Sequence, residues 1–370
     1  MVDEKTGRPQ EPGMGKTLRE DLSRGDFNRT MRRDFAELKE LFIDGHRTER
    51  LGEMNRVKRW IYTGAWLLKS LFFKLTPARR VLFVLSMILF LTSQSVTFGE
   101  EQTTVTIKTD AAAEIILVFI LMLELKDKLL AQSELEAGRV IQSALQPERA
   151  PTVEGWSSWL LTKAANEVGG DLVDYEGLGR ERHLFSLADV AGKGVRAALV
   201  TTRLQATIRA FAPESPSLIE LTSKINALMY RDTTKNMFAS LALAELTPRS
   251  GVVRLVNAGH LPPLVLRGSV VEPTGKGSPA IGIFPETEFL EQTVELRPGE
   301  SLVIYSDGIP DAKNAQGEFY GTTRLTELLA DSAGLSPELL GARIMGSVSR
   351  FIGETKVYDD ISLVIVRREG

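Results

Sequence analysis

Aspartate side chains stand at the ends of apolar, strand-like segments at several places in this sequence. Asp189 and Asp307 each close such a segment, Asp171 follows a Gly-Gly pair, and Asp359 and Asp360 precede the last apolar segment. In an antiparallel sheet the end of one strand lies beside the start of its neighbour, so we expect several of these carboxylates to meet at one edge. A lone aspartate at a strand end is more often a turn or cap residue, but the repetition favours a shared site.

Carboxylates gathered at one place repel one another unless a cation lies between them. Oxygen ligands suit Mg²⁺ or Mn²⁺, and two such ions about 3.5–4 Å apart can hold a phosphate and activate a water for in-line attack on phosphorus. The chain has 0 Cys and 3 His, which excludes a disulfide framework, a thiolate zinc site and a cysteine nucleophile, and argues against a histidine-rich metal site. The candidate chemistry is therefore phosphoester hydrolysis with two Mn²⁺ or Mg²⁺ ions.

A few other polar residues lie close to these aspartates in the sequence. Lys193 and Arg196 follow Asp189 at the start of a predicted helix, where they could attract a phosphate, although such residues are as often simply solvated. For His260 a structural role in support of the sheet is favoured over general acid catalysis.

Residues 148–370 have the pattern of a layered α+β domain. Strands are predicted at 155–161, 183–190, 238–245, 252–256, 264–266, 301–305 and 361–366, and helices at 194–211, 217–232, 321–329 and 337–351. Because strands and helices do not alternate strictly, a doubly wound parallel sheet is disfavoured.

The first part of the chain differs in composition and charge. Residues 1–80 carry 18 Lys/Arg and 12 Asp/Glu, and the most apolar stretch follows them, which favours a membrane partner over nucleic acid. Residues 1–30 are rich in Gly, Pro and charged residues and are predicted to be disordered. Residues 31–77 are predicted to form a helical, interfacial cytoplasmic segment, because Trp60 and Trp66 lie among spaced lysines.

Residues 78–125 are predicted to form a two-helix transmembrane hairpin. The uncharged run 81–98 approaches the roughly 20 residues that a spanning helix needs, and 111–125 would be the returning arm, although it contains Glu114. Basic residues flank the outer ends of both arms, so the positive-inside rule places the chain in the inner (cytoplasmic) membrane with its catalytic domain facing the cytoplasm. The alternative is a buried helical hairpin in a soluble domain.

Residues 126–147 are predicted to form a linker helix. Leu130, Ala137 and Ala144 recur at every seventh position, as in a short parallel coiled coil, which would make the chain a homodimer. Two heptads are equally compatible with a plain linker helix.

The order and spacing of the motifs resemble PPM-type (protein phosphatase 2C-like) serine/threonine phosphatases, in the bacterial branch that includes SpoIIE and RsbU. The resemblance runs from about residue 137 to residue 368, and one such motif alone would be weak evidence. The motifs that carry it are Ile141-Gln-Ser-Ala-Leu-Gln-Pro147, Gly169-Gly-Asp171, Ala188-Asp-Val-Ala-Gly-Lys-Gly194, Met237-Phe-Ala-Ser-Leu241, Asn257-Ala-Gly-His260-Leu-Pro-Pro263, Tyr305-Ser-Asp-Gly308 and Asp359-Asp-Ile-Ser362.

The resemblance implies a sandwich of two antiparallel sheets flanked by helices, preceded here by the hairpin and the linker helix. It also implies a dinuclear Mn²⁺ or Mg²⁺ site in which Asp171 and Asp189 act catalytically, by activating water through the ions. The implied ligands are Asp171, Asp189, the Val190 carbonyl, Asp307 and Asp359, with Asp360 either a further ligand or a residue that orients the loop.

The expected activity is hydrolysis of phosphoserine or phosphothreonine on a partner protein, and the resemblance further implies a phosphorylated STAS-type anti-anti-sigma regulator as that partner. Departures from the family pattern at Leu172, Arg196 and Pro310 remove no implied ligand. The alternative function is a catalytically silent, membrane-tethered signalling adaptor. A nucleotide cyclase, suggested by Gly169-Gly-Asp171, is disfavoured because the expected acidic pair and aromatic residue do not follow.

Overall fold

A computed structural model of the chain describes residues 54–92, 95–98, 105–147, 149–232, 237–355 and 357–370. The chain divides into two compact units, Met1–Lys128 and Leu129–Gly370. The predicted disordered segment 1–30, and residues 31–53 of the predicted interfacial segment, lie outside the described residues.

The C-terminal unit contains two five-stranded antiparallel sheets. In chain order its elements after the linker are β3 (Trp156–Lys163), β4 (Asp171–Gly177), β5 (His183–Val190), α4 (Val195–Phe211), α5 (Leu218–Asp232), β6 (Ala239–Leu246), β7 (Val252–Ala258), β8 (Leu264–Arg267), β9 (Val270–Pro273), β10 (Glu291–Glu295), β11 (Ser301–Tyr305), α6 (Gly321–Ala330), α7 (Pro337–Ile352) and β12 (Ile361–Arg368). The first sheet has the order β10-β7-β6-β5-β4, and the second has the order β3-β12-β11-β8-β9. The predicted α+β sandwich is confirmed.

Successive side chains along the strands face alternately the core between the sheets and the helices on the outer faces. In β5, Phe185 and Leu187 belong to the core between the sheets, whereas Leu184 and Ala188 pack against the helices on the outer face. Helices α4 and α5 cover the first sheet, and α6 and α7 cover the second. Because the central strands are covered on both faces, they appear in the sequence as continuous apolar runs.

Local sequence signals set the helix ends. Helix α7 begins at Pro337, where proline's fixed φ suits the first helical position, and the Ser336 hydroxyl accepts a hydrogen bond from the backbone N–H of Leu339. Helix α4 begins directly after Gly194, whose φ of 73° favours glycine. The connection between β5 and α4 is therefore short, only residues 191–194.

The N-terminal unit is built from helices and a two-stranded hairpin. Its elements are α1 (Arg56–Lys74), α2 (Pro77–Thr92), β1 (Ser95–Phe98), β2 (Val105–Lys108) and the beginning of α3 (Thr109–Ala144). Helix α3 contains both the predicted returning arm and most of the predicted linker, because no proline and a single glycine interrupt residues 111–144.

The predicted transmembrane hairpin is not supported. In the part of the chain that the structure describes, no helix has both the length and the apolar character needed to cross a membrane. Helix α2 has 16 residues, because the β-favouring residues Ser95–Phe98, predicted as part of the first arm, form a strand instead. The Arg79 guanidinium joins α2 to α3 through ion pairs with Glu124 and Asp127, each at 2.6 Å.

Candidate metal centre

Strand register brings two of the predicted ligands side by side in the first sheet. Asp171 of β4 is paired with Asp189 of β5, and Asp189 is paired in turn with Ser240 of β6. Directly paired residues of antiparallel strands point to the same face. Asp189 shares the phase of Phe185 and Leu187, so this row of side chains faces the second sheet at the end of the inter-sheet core.

The second sheet contributes the remaining aspartates. Strands β11 and β12 are antiparallel, with Tyr305 paired with Leu363, so Asp307 after β11 lies at the same end as Asp359 before β12. Gly308 permits a close approach here, since a Cβ at this position would lie 1.9 Å from the Asp360 carbonyl oxygen. The predicted meeting of Asp307 with Asp359 therefore arises within one sheet, whereas Asp189 belongs to the other sheet.

The pKa values of these aspartates are raised by burial and by repulsion between their carboxylates. Burial, followed by repulsion from Asp307 and Asp359, raises the pKa of the Asp189 carboxyl to about 6. Burial and the neighbouring Asp189 raise the pKa of the Asp171 carboxyl well above its usual value. Burial and Asp359 also raise the pKa of the Asp307 carboxyl. Ionising this group of acids without a cation is unfavourable, as expected for clustered carboxylates.

Asp171 offers a carboxylate oxygen that the protein leaves unsatisfied. Its Oδ2 atom is buried and has no hydrogen-bond partner. A buried carboxylate oxygen of this kind is costly unless a cation or donor reaches it, so the observation fits the implied divalent ion. Among the residues that the structure describes, no three acidic or imidazole groups are close enough to hold an ion as they stand. The full ligand set therefore stays a prediction.

Asp360 positions the loop that carries Asp171. Its Oδ1 accepts a hydrogen bond from the backbone N–H of Ala165 at 2.7 Å, and its Oδ2 accepts from those of Gly170 at 2.5 Å and Asp171 at 3.3 Å. A Cβ at residue 169 would lie 2.8 Å from Oδ2 of Asp360, so a larger residue there would displace the Asp360 carboxylate from these hydrogen bonds. Of the two roles considered for Asp360, orienting the loop is the one these contacts support.

Two further residues hold the same loop, and sequence reasoning assigned them no role. The Gln142 side-chain amide donates to the Gly169 carbonyl at 2.9 Å and accepts from the Gly169 N–H at 3.1 Å. The Thr201 hydroxyl of α4 donates to the Gly170 carbonyl at 2.6 Å. The motif around Gln142 was recognised, but its target 27 residues away is a tertiary contact that no local pattern shows.

The remaining predicted site residues lie around the turn after β5. The Lys193 ammonium donates to the Tyr358 carbonyl at 2.8 Å and contacts the Asp359 carboxylate at 3.0 Å. Val190 is fully buried, and its carbonyl oxygen lies 3.4 Å from where a Cβ of Gly170 would stand. Arg196 is exposed near the start of α4. The structure thus brings Lys193 to the acidic cluster and leaves Arg196 on the surface.

Comparison with known sequences agrees with this architecture. Residues 179–369 match the family model described as Stage II sporulation protein E (SpoIIE). The chain is 27% identical over 265 residues to Protein IcfG of Synechocystis sp., an alignment that covers 64% of this chain and 41% of that protein. It is 21% identical over 241 residues to phosphoserine phosphatase RsbU of Bacillus subtilis, covering 64% of this chain and 71% of that protein.

The same fold occurs among solved structures. The structure of the SiaA-PP2C domain of Pseudomonas aeruginosa is similar with a TM-score of 0.60 and 22% sequence identity, covering 66% of this chain and 99% of that domain. At this identity the similarity shows the shared fold. Both sheets and their helical layers therefore follow a known architecture.

Proposed function

Since the match over residues 179–369 covers more than half of the sequence, this chain belongs to the SpoIIE family, and we propose that it is a metal-dependent phosphatase of phosphoserine or phosphothreonine proteins. The observation that carries the proposal is the buried, unsatisfied Oδ2 of Asp171, directly beside Asp189 across a strand pair. Asp171 is buried and Asp189 is half-buried, and neither forms an ion pair with a Lys or Arg of the described residues. This fits a site that takes its positive charge from bound divalent ions.

Each acidic residue has a distinct place in this proposal. Asp189 lies between the two sheets and would contact both ions, assisted at one of them by the Val190 carbonyl. Asp307 and Asp359 would hold the first ion, and Asp171 the second. When bound, the two Mn²⁺ or Mg²⁺ ions would polarise the phosphate and lower the pKa of an attacking water.

The chain's own residues would prepare the site for the phosphate. Asp360, through the backbone N–H groups it binds, keeps the Asp171 loop in place. Lys193 stands beside Asp359 with an exposed ammonium that attracts an incoming phosphate. Arg196, exposed near the start of α4, adds to that attraction at longer range.

The experiment is phosphate release from a small phosphoester by the full chain. We expect turnover with Mn²⁺, none with EDTA, and a loss of more than about 100-fold in Asp189→Asn, because the ions supply several kcal/mol of transition-state stabilisation. Asp331→Asn, at the exposed C-terminal end of α6, is the matched control and should keep wild-type turnover. Turnover that survives both EDTA and Asp189→Asn would overturn the metal mechanism, and partner binding without turnover would indicate an adaptor.

For the substrate we propose a phosphorylated signalling protein, of the STAS-type anti-anti-sigma class that the family resemblance implies. The relative RsbU is named a phosphoserine phosphatase, which supports a phosphoserine protein as the target. A phosphorylated STAS domain should be hydrolysed with a higher kcat/KM than a phosphoserine peptide of the same local sequence. Equal values for the two would argue against recognition of a folded partner.

We also propose that the N-terminal unit attaches the chain to the inner membrane, with the phosphatase domain on the cytoplasmic side. Helices α2 and α3 expose many large apolar side chains, among them Val81 at 68%, Leu91 at 75% and Ile115 at 70%. Exposed apolar surface of this extent marks contact with lipid or protein. Recovery of the full chain in the soluble fraction without detergent or salt would contradict membrane attachment.

A homodimer through the linker part of α3 is a separate proposal. Leu130, Val140 and Ile141 are exposed on this helix, as the coiled-coil interpretation requires. Sedimentation in detergent should give a dimer that Leu130→Lys together with Val140→Lys converts to a monomer. A monomeric wild-type chain would contradict the coiled coil and indicate a plain linker helix.

A further inference from the structure

Two of the sequence motifs, Met237–Leu241 and Asn257–Pro263, supply none of the proposed metal ligands, yet they meet in the structure. His260 is 9% exposed, and its ring lies between the two sheets. Its Nδ1 atom is 2.8 Å from the Ser240 hydroxyl oxygen, in the first sheet. Its Nε2 atom is 3.1 Å from the Tyr305 carbonyl oxygen, at the end of β11 in the second sheet. His260 thus joins one sheet to the other.

The two partners determine the tautomer of the ring. A backbone carbonyl only accepts hydrogen bonds, so Nε2 of His260 carries the proton and donates it to Tyr305. Nδ1 is then the acceptor, and the Ser240 hydroxyl donates to it. Burial lowers the pKa of His260 to about 4, so the ring is neutral near pH 7 and this pattern of donors and acceptors is maintained.

The rest of the second motif holds His260 in place. The Asn257 side chain accepts from the His260 backbone N–H at 2.8 Å and donates to the His260 carbonyl at 3.1 Å. Gly259 has a φ of 71°, and a Cβ there would lie 2.5 Å from the Ala280 side chain. Glycine is therefore required for the turn that directs the imidazole between the sheets.

The atoms that His260 joins are next to the candidate metal centre on both sides. Ser240 is the direct strand partner of Asp189, with its side chain on the same face. Tyr305 is the last residue of β11, and Asp307 follows two positions later. The path Asp189, Ser240, His260, Tyr305, Asp307 therefore crosses from the first sheet to the second through hydrogen-bonded or adjacent groups.

From this geometry we propose that His260 is a positioning residue that sets the spacing between Asp189 and Asp307, and so the affinity of the site for its divalent ions. The inference rests on the proposed function, because it assigns Asp189 and Asp307 to one metal centre. Ser240 acts through the same contact, and Asn257 and Gly259 act by holding the His260 backbone. The two motifs thus act together to fix the position of one sheet relative to the other at the candidate metal centre.

The test measures Mn²⁺ binding to the metal-free full chain by calorimetry. His260→Gln keeps a donor near the Nε2 position and loses the contact with Ser240, whereas Ser240→Ala loses the same contact from the other side. Each should weaken Mn²⁺ binding about three- to tenfold, as expected when one buried hydrogen bond is lost. The double variant should be no weaker than His260→Gln alone, because both substitutions remove one interaction.

His183→Gln is the matched control. His183 lies at the opposite end of β5 and contacts the Tyr175 hydroxyl at 2.8 Å, so its replacement should leave Mn²⁺ affinity unchanged. Thermal unfolding in EDTA identifies any variant that is not folded, and Ser240→Ala, the smaller change, keeps the test available if His260→Gln fails to fold.

The outcomes distinguish a failure of the inference about His260 from a failure of the proposed function. Variants of Ser240 and His260 that lose thermal stability but bind Mn²⁺ like the wild type would show a purely structural role and overturn the inference. Additive losses in the double variant would overturn the shared contact. A wild-type chain that neither binds Mn²⁺ nor hydrolyses a phosphoester would instead remove the proposed function itself.

Discussion

Strand β4 carries two buried aspartates, three residues apart, that differ in how their charge is compensated. Asp174 is 1% exposed, and its carboxylate accepts two hydrogen bonds from the Arg209 guanidinium, at 2.7 and 2.8 Å. Asp171 is 6% exposed, has one oxygen without any partner, and has a raised pKa. Along one strand, therefore, the protein pairs one carboxylate with an arginine and leaves one oxygen of the other without a hydrogen-bond partner.

The same contrast holds for the regions around them. Asp174 is one of two buried acids of the first sheet that pair with arginines, here called the compensated cluster. The other, Glu245, binds Arg182 at 2.7 Å and Arg254 at 3.2 Å. Asp171 belongs to an acidic edge, defined as Asp171, Asp189, Asp307 and Asp359. Within the described ranges, no Lys or Arg forms an ion pair with the first three, and Lys193 pairs with Asp359. Breaking a pair in the compensated cluster should therefore cost stability, whereas the proposed function assigns the acidic edge to cations from solution.

The largest expected effect comes from neutralising the acidic edge at Asp171. Asp171→Asn should weaken Mn²⁺ binding by more than about 100-fold, because loss of a ligand should exceed the 10–100-fold typical of outer-shell partners. Calorimetry on the metal-free chain measures the affinity, and turnover should fall with it. Wild-type Mn²⁺ affinity in this variant would show that Asp171 is not a metal ligand.

The same substitution at Asp174 should have the opposite profile. Asp174→Asn removes the charged acceptor of both short hydrogen bonds of the Arg209 guanidinium and leaves it only the Glu176 carboxylate, at 3.7 Å. We expect the free energy of unfolding to fall by about 1–3 kcal/mol. This is less than for a fully buried pair, because the Arg209 side chain is 37% exposed. Urea unfolding measures the loss, while Mn²⁺ affinity should stay within about twofold of wild type. A large loss of affinity with unchanged stability would reverse the comparison.

The fold was largely predictable from the sequence where burial alone decides. The strands 183–190 and 301–305 have the bounds that the sequence predicts, because both are mainly apolar segments that end at a turn. Strand β4 was missed, since Asp174 becomes compatible with a buried strand only through Arg209, 35 residues away. The exposed strands β9 and β10 were missed as well, because neither has an apolar run or a clear alternation.

The candidate site was predictable as a set of aspartates but not as an arrangement. The motifs named Asp171 and Asp189, yet their pairing depends on the register of β4 on β5, which no local pattern fixes. Gln142 and Thr201 act through tertiary contacts, so their roles emerge only from the structure. For His260 the sequence favours a structural role in support of the sheet, and the structure adds its partners. Which carboxylates hold which ion stays a prediction.

The free energy of unfolding of the metal-free chain should depend on pH through the acidic edge. The folded pKa of Asp189 is raised to about 6, so its stabilising contribution is present below the ordinary value near 3.8 and is lost as pH rises through 6. In EDTA, Asp189→Asn should therefore be more stable than wild type at pH 7.5 and equal to it near pH 4. Any contribution from His260 is common to both proteins and cancels. A stability difference that is the same at both pH values would contradict the assignment.

A smaller effect is expected from the support of the Asp171 loop by the linker part of α3. Gln142→Ala removes two hydrogen bonds to Gly169, two residues before Asp171, and should weaken Mn²⁺ binding about three- to tenfold. Gln146→Ala is the matched control, since Gln146 is exposed near the same helix end. Equal effects of the two substitutions would show that the helix, and not the Gln142 amide, supports the loop.

The smallest expected effect concerns Lys193, a basic residue paired with an aspartate of the acidic edge. Its ammonium pairs with Asp359, as in the compensated cluster, but its side chain is 60% exposed and that of Asp359 is 47% exposed. An exposed pair of this kind contributes about 0.2–1 kcal/mol, so Lys193→Met should tighten Mn²⁺ binding by no more than about fivefold, through loss of a competing cation. The gain should shrink in 1 M salt, where exposed charges are screened over about 3 Å. KM for a phosphoester should rise in the same variant, because the ammonium that attracts phosphate is gone. A gain in affinity without a rise in KM would assign Lys193 to compensation alone, whereas a rise in KM without a gain would assign it to the substrate.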